Sequence, residues 1–166
     1  VCCKRVKKPT QRKTANSFMD SIKITPATAE DCAACARLLA GQLDEHQIQA
    51  PLERLQAVLD RLVKNPERGF VLVARDAAEI VGLAYVAVIL SVEHCGPVAW
   101  LEELYVAPEG RNRGVGTALL QGVIERSRQD GIEAIDLEID EGHDRVASLY
   151  ERFGFRPLRR SRWVRK

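Results

Sequence analysis

The sequence predicts an α/β (α+β) chain built on a central mixed, twisted sheet flanked by helices. Three observations carry this. Segments with alternating or continuous apolar patterning take turns with segments of 3.6-residue periodicity. Two apolar segments separated only by Asp76-Ala-Ala-Glu79 read as an antiparallel hairpin, whereas the next two strands each run into a helix and read as a parallel pair. The 166 residues, 46% of them apolar, suffice for one domain with a sizeable core.

The elements follow in order. Ser21-Ile-Lys-Ile-Thr-Pro26 alternates and stops at proline, as a short first strand does. Thr28 is a helix N-cap with Asp31 three positions on, and Ala33, Ala36, Leu39, Ala40 and Leu43 carry the first helix to about Gln42. Asp44 to Gln47 is expected as a polar connection. Pro51 opens a second helix with the apolar stripe Leu52, Leu55, Val58, Leu59, Leu62, Val63, and Asn65-Pro66 ends it. Gly69–Arg75 and Ile80–Val92 form the hairpin, and Val98–Val106 is the fourth strand. A third helix runs to about Gln129 and closes at Gly131. In the fifth strand Ile135, Leu137 and Ile139 alternate with Asp136, Glu138 and Asp140. A fourth helix covers Arg145 to Arg152, Gly154 ends it, and Phe155–Leu158 reads as a last strand with 162–165 as its hairpin partner.

The chain is organised around Leu101-Glu-Glu-Leu-Tyr-Val-Ala-Pro-Glu-Gly-Arg-Asn-Arg-Gly-Val-Gly-Thr117, a strand, a glycine-containing turn and the start of a helix. Gly114 and Gly116 remove side chains where a ligand approaches the backbone. The first-turn N–H groups around Thr117 and the helix dipole favour an anion, most naturally a phosphate or pyrophosphate. No Lys-Ser/Thr follows the last glycine as a Walker loop requires, and the dinucleotide spacing of three glycines is absent.

What stands there, Arg111-x-x-Gly114-x-Gly116 after Leu104-Tyr-Val-Ala-Pro-Glu109, resembles the acetyl-CoA signature of the GNAT superfamily of N-acyltransferases. A second motif, Val146-Ala-Ser-Leu-Tyr-Glu-Arg-Phe-Gly-Phe155, is similar to that superfamily's Leu-Tyr-x-x-x-Gly-Phe helix. The resemblance covers roughly residues 22 to 166. It implies a GNAT fold with the parallel fourth and fifth strands splayed at their C-terminal ends around the pantetheine arm. It implies acetyl-CoA (CoA) as cofactor, held by Leu104, Tyr105, Val106, Arg111, Asn112, Arg113, Gly114, Val115, Gly116, Thr117 and Tyr150. Seven residues before that tyrosine, where many members carry asparagine, this chain has His143.

Acetyl transfer to an amine needs a base, because the ammonium form has no lone pair. It needs a donor for the developing oxyanion, expected from a backbone N–H near Leu104 to Val106 exposed by a strand bulge. It also benefits from an acid for the departing thiolate, a role the resemblance gives to Tyr150. Glu102 and Glu103 are consecutive and point to opposite faces unless a bulge intervenes. The resemblance to polyamine acetyltransferases favours Glu102 as base and Glu103 as substrate contact. Likeness to ribosomal-protein alanine acetyltransferases favours Glu138. For each acid a solvated or paired structural carboxylate is the bland alternative. Asp44, Glu45 and His46 follow the first helix, where acceptor loops often lie in the superfamily. Cys95 beside His94 carries little as an acyl nucleophile.

The expected activity is N-acetyl transfer to a small amine, polyamine, aminoglycoside or peptide N-terminus, with a CoA-binding regulatory module as the rival. Six basic residues and no acid occupy positions 1–18, so the remainder carries −4 within a net +2. An acidic body suits a cationic acceptor. We expect residues 1–18 to be a basic tail, an expression remnant or an upstream extension, with the domain at 19–166. Nucleic acid is not an expected partner, a membrane is excluded by the absence of an 18-residue apolar run, and a homodimer stays open. The lack of an apolar segment after the basic start points to the cytoplasm. No metal is expected: Cys32-Ala-Ala-Cys35 lies inside a helical pattern and reads as two buried thiols.

Overall fold

A computed structural model describes residues 22–139, 144–158, 160 and 163–165. The expected basic tail and His143 lie outside these. The chain runs β1 (Ile22–Pro26), a 3₁₀ turn, α1 (Cys32–Glu45), α2 (Leu52–Lys64), a second 3₁₀ turn, β2 (Gly69–Asp76), β3 (Glu79–Ser91), β4 (Gly96–Val106), a third 3₁₀ turn, α3 (Val115–Gln129), β5 (Ala134–Leu137) and α4 (Asp144–Arg152). The strands order as β1-β2-β3-β4-β5. All pairings are antiparallel except β4 with β5, which is parallel.

Strand alternation divides the interior into two layers. Val71, Val73 and Leu83 point to one face, where Cys32, Cys35, Ala36 and Leu39 of α1 and Leu59 and Leu62 of α2 cover them. Phe70, Leu72, Ala84, Val86 and Leu101 point to the other, under Val115, Leu119, Leu120 and Val123 of α3. Helix α3 lies close on the sheet because Gly122 has no side chain. A Cβ there would sit 3.0 Å from Ile24 Cγ2 and 3.1 Å from Leu72 Cδ1. Cys32 and Cys35 are free and buried, as the helical reading holds, and burial first, then nearby acids, pushes their thiols up to about 11 and about 12.

The start of α1 is fastened as its sequence predicts. Thr28 N–H donates to Asp31 Oδ2 at 2.8 Å, and Arg75 Nη2 donates to the same oxygen at 2.7 Å. Burial alone would raise the Asp31 carboxyl, but these donors outweigh it and hold the group below its ordinary range.

Three boundaries differ from the sequence expectation, the first being that β5, expected to continue through Glu138 and Ile139, ends at Leu137. Helix α1 does not stop at Gln42 but continues to Glu45, with the chain reversing at Gln47 in the left-handed region at φ 58°. Its last turn presents Gln42 and Glu45 to Glu103 and Tyr105 of β4. The expected last strand at Phe155–Leu158 is irregular chain, and no sixth strand occurs among the described residues. Gly154, at φ 86°, turns the chain after α4, and Phe155 then packs back toward the core instead of pairing.

Candidate active site

The turn between β4 and α3 is pressed onto the sheet. A Cβ on Gly110 would meet Val106 Cγ1 at 3.1 Å and Val81 O at 3.3 Å. Asn112 and Gly114 then take left-handed backbone at φ 59° and φ 80°, which swings the chain into α3. The first intrahelical bond runs from Ala118 N–H to Gly114 O at 3.0 Å. It leaves the N–H groups of Val115, Gly116 and Thr117 unpaired within the helix, at the positive end of its dipole. No acidic residue stands in that first turn. Gly116 is not demanded by packing, since a Cβ there would lie at an ordinary 3.8 Å from Val106 Cγ2. Val115 is 1% exposed, so its side chain serves the core and only its backbone faces the turn.

The two arginines of the turn reach outward to opposite anchors. Arg113 Nη2 donates to Asp76 Oδ2 at 2.6 Å, tying the turn to the β2–β3 connection. Arg111 Nε donates to Val106 O at 2.9 Å, and its Nη2 donates to Glu45 Oε1 at 2.6 Å and Oε2 at 2.9 Å.

Parallel pairing of β4 with β5 ends at Leu101↔Leu137, while β4 continues to Val106. Beyond that point the two strands part. Alternate N–H groups of residues 102–106 on the β5 edge therefore have no strand partner in β5. The bulge of β4 lies at Glu102, where the register against β3 skips from Val86↔Leu101 to Tyr85↔Glu103. The bulge expected in this strand is therefore present, at Glu102, while Leu104, Tyr105 and Val106 pair regularly with Ala84, Leu83 and Gly82. Their edge is uncovered by the end of β5, not by an irregularity of their own.

The bulge resets the alternation of the strand. Leu101 stays on the α3 face with Leu104 and Val106, and Glu103 joins Tyr105 on the α1 face. Glu102 is exposed, and its charge, after burial, raises the half-buried Tyr85 phenol opposite. Glu103 accepts a hydrogen bond from Gln42 Nε2, and Gln42 Oε1 is buried without a partner among the described residues. One turn on, Glu45 Oε1 accepts the Tyr105 hydroxyl at 2.8 Å. That bond, then the Arg111 guanidinium, holds the Glu45 carboxyl below its ordinary range. Gln42 and Tyr85 were not singled out by the sequence. The signal for Gln42 is its i,i+3 spacing to Glu45 at the end of an apolar stripe.

Tyr150 lies on α4 in the apolar layer that also takes in Leu104, Val106, Ile135 and Leu137. Its ring meets Phe155 edge-on at 5.7 Å between centroids, and burial raises its phenol above the ordinary range. Glu138 is exposed, one residue past the end of β5. The turn, the uncovered edge of β4, Glu102 and Glu103 lie along the end of one strand, with Tyr150 in the layer beneath, whereas Glu138 follows the end of the neighbouring one.

The model of the acetyltransferase (GNAT) family matches residues 35–155. The chain is 25% identical to the uncharacterized N-acetyltransferase YhfO of Bacillus subtilis (strain 168) over 134 residues, 81% of this chain and 89% of that protein. It is 41% identical over 85 residues to the mycothiol acetyltransferase of Propionibacterium freudenreichii subsp. shermanii, a stretch covering 51% of this chain and 27% of that one. A solved aminoglycoside acetyltransferase from an uncultured soil metagenomic sample, in complex with sisomicin, shares the fold with a TM-score of 0.71 at 19% identity, covering 90% of this chain and 99% of that chain.

Proposed function

The chain belongs to the acetyltransferase (GNAT) family and is an acyl-CoA-dependent N-acetyltransferase, and we propose that it moves an acetyl group from acetyl-CoA to a primary amine by direct attack in a ternary complex. The observation that carries this is the mouth of α3, where left-handed Gly114 aims unpaired N–H groups beside the uncovered edge of β4. That cradle fits a pyrophosphate in charge and in the room left by Gly116. Acetyl-CoA, when bound, supplies an activated acyl thioester.

The chain's own groups then have distinct tasks. Backbone N–H groups of Val115, Gly116 and Thr117 bind the phosphates, with Asn112, Arg113 and Gly114 shaping the turn around them. The edge of Leu104, Tyr105 and Val106 lines the arm and offers donors to the acyl oxygen. Glu102, the exposed acid at the bulge, accepts the amine proton. Glu103, held by Gln42, binds the cationic substrate. Tyr150, kept protonated by burial, gives its phenolic proton to the departing sulfur.

The test is release of free thiol from acetyl-CoA in the presence of spermidine, sisomicin, an alanine-initiated peptide or a simple alkylamine. Amine-dependent release supports the reading. Tight CoA binding with no release for any amine supports instead a regulatory module that has lost turnover.

A further inference from the structure

The motif leads one to expect the Arg111 side chain on the phosphates, yet its Nε and Nη2 are engaged by Val106 O and the Glu45 carboxylate. We propose that Arg111 is a positioning residue of the acceptor site: its guanidinium fixes the Glu45 carboxylate beside Tyr105 and Glu103, where the amine arrives, and the backbone of the turn alone receives the cofactor's phosphates. This rests on the reading of the α3 mouth as the CoA site.

The guanidinium is held at three places. Nε donates to Val106 O at 2.9 Å, Nη2 donates to both oxygens of Glu45, and the group lies 5.5 Å over the centre of the Tyr105 ring. Such a planar fork loses its geometry if any one anchor goes. Glu45 Oε1 also takes the Tyr105 hydroxyl, so a single carboxylate joins α1, β4 and the turn. The backbone of α1 comes close enough that a Cβ on Gly41 would be 3.7 Å from the Tyr105 oxygen. Next to this junction stands Glu103 with Gln42, whose buried Oε1 is a spare acceptor among the described residues. An ammonium group brings three donors and no acceptor, and the carboxylates of Glu45 and Glu103 are the acceptors this wall offers it. Arg111 neutralises and aims one of them without itself touching the amine.

A mere staple between helix and turn would move stability alone, so the test separates the two Michaelis constants. Calorimetry with CoA and initial rates with the amine most readily acetylated in the panel are measured for Arg111→Met, Glu45→Gln and the double variant. CoA affinity should stay within about twofold of the parent in all three. Acceptor KM should rise about tenfold in each single variant, and no further in the double one, because both remove the same arrangement. Arg111→Lys, which keeps the charge without the fork, should fall between. A tenfold loss of CoA affinity in Arg111→Met alone overturns the proposal, and so does an acceptor KM that none of these variants moves. Gly116→Asp is the control for the reading beneath it. If that variant also leaves CoA affinity unchanged, the turn is not the phosphate site, and the failure belongs to that reading.

Discussion

Glu102 and Glu103 are neighbours in the chain with different surroundings. Glu102 is exposed at the bulge, and Glu103 is partly buried and tied to Gln42 of α1. A base acts on the reacting amine, so its loss is partly bypassed by raising the pH, whereas a carboxylate that only binds a cation contributes equally to ground and transition states. Glu102→Gln is therefore expected to lower kcat with partial recovery at high pH, Glu103→Gln mainly to raise KM, and Glu138→Gln to do less than either. The pH–rate profiles of the three variants with one acceptor decide this, and a pH-rescuable loss confined to Glu138→Gln would transfer the base to the segment that follows β5. For Tyr150, a phenol raised by burial is in its acid form throughout the neutral range and loses its proton only in more alkaline solution than an ordinary tyrosine. Tyr150→Phe keeps the edge-on contact with Phe155 and is expected to cost about 10²- to 10⁴-fold in turnover with CoA affinity unchanged. An undiminished rate in a single-turnover measurement would assign the proton to another donor.

The N-terminus of α3 shows how one motif divides its tasks between two glycines. Gly114 is needed by the chain, because its left-handed φ of 80° is strained for other residues, so any substitution there mixes backbone strain with ligand effects. Gly116 is in ordinary helical position with room for a Cβ. Gly116→Asp adds an acid to the first turn, which complements the dipole by about 0.3–1 kcal/mol and should leave the thermal midpoint level or slightly raised. The same charge opposes phosphates at the helix mouth. CoA affinity is expected to fall at least about tenfold while stability holds, as measured by calorimetry and thermal melting. Equal affinity in this folded variant would remove the central inference about the turn.

Across the whole molecule, two apolar layers flank the sheet. Helix α3 and Tyr150 lie in one, α1 covers the other with Gln42 and Glu45 of its last turn meeting β4, and β4 parts from β5 beyond Leu101↔Leu137. The reaction proposed above assigns no role to the first eighteen residues. Their removal takes away six positive charges and leaves an acidic body. The shortened chain is expected to keep the parent's CoA affinity, acetylation rate and thermal midpoint, and to lose any retention on immobilised nucleic acid. A drop in CoA affinity on deletion would mean that the basic segment belongs to the cofactor site. Among the described residues no helix is long and apolar enough to cross a membrane, in keeping with the short apolar runs of the sequence.

Local patterns were enough to place the strand, turn and helix around Arg111 to Thr117, the hairpin of β2 and β3, the capped start of α1 and the buried thiols of Cys32 and Cys35. Each of these depends on spacing or on backbone preferences that neighbouring residues impose on one another. The tertiary structure decided what depends on partners distant in sequence. Glu102 and Glu103 lie on strand β4 by sequence, but the bulge that turns Glu103 toward α1 exists only in the pairing with Tyr85 and Val86. In the last turn of α1, Gln42 and Glu45 are engaged by Glu103, Tyr105 and Arg111, some 60 residues away in the chain, which local patterning does not reveal. Phe155 alternates like a strand residue, yet the Gly154 turn sends it against Tyr150. Arg111 carries the motif's signature in sequence, while the side of the turn on which its charge is spent is set by where α1 happens to end.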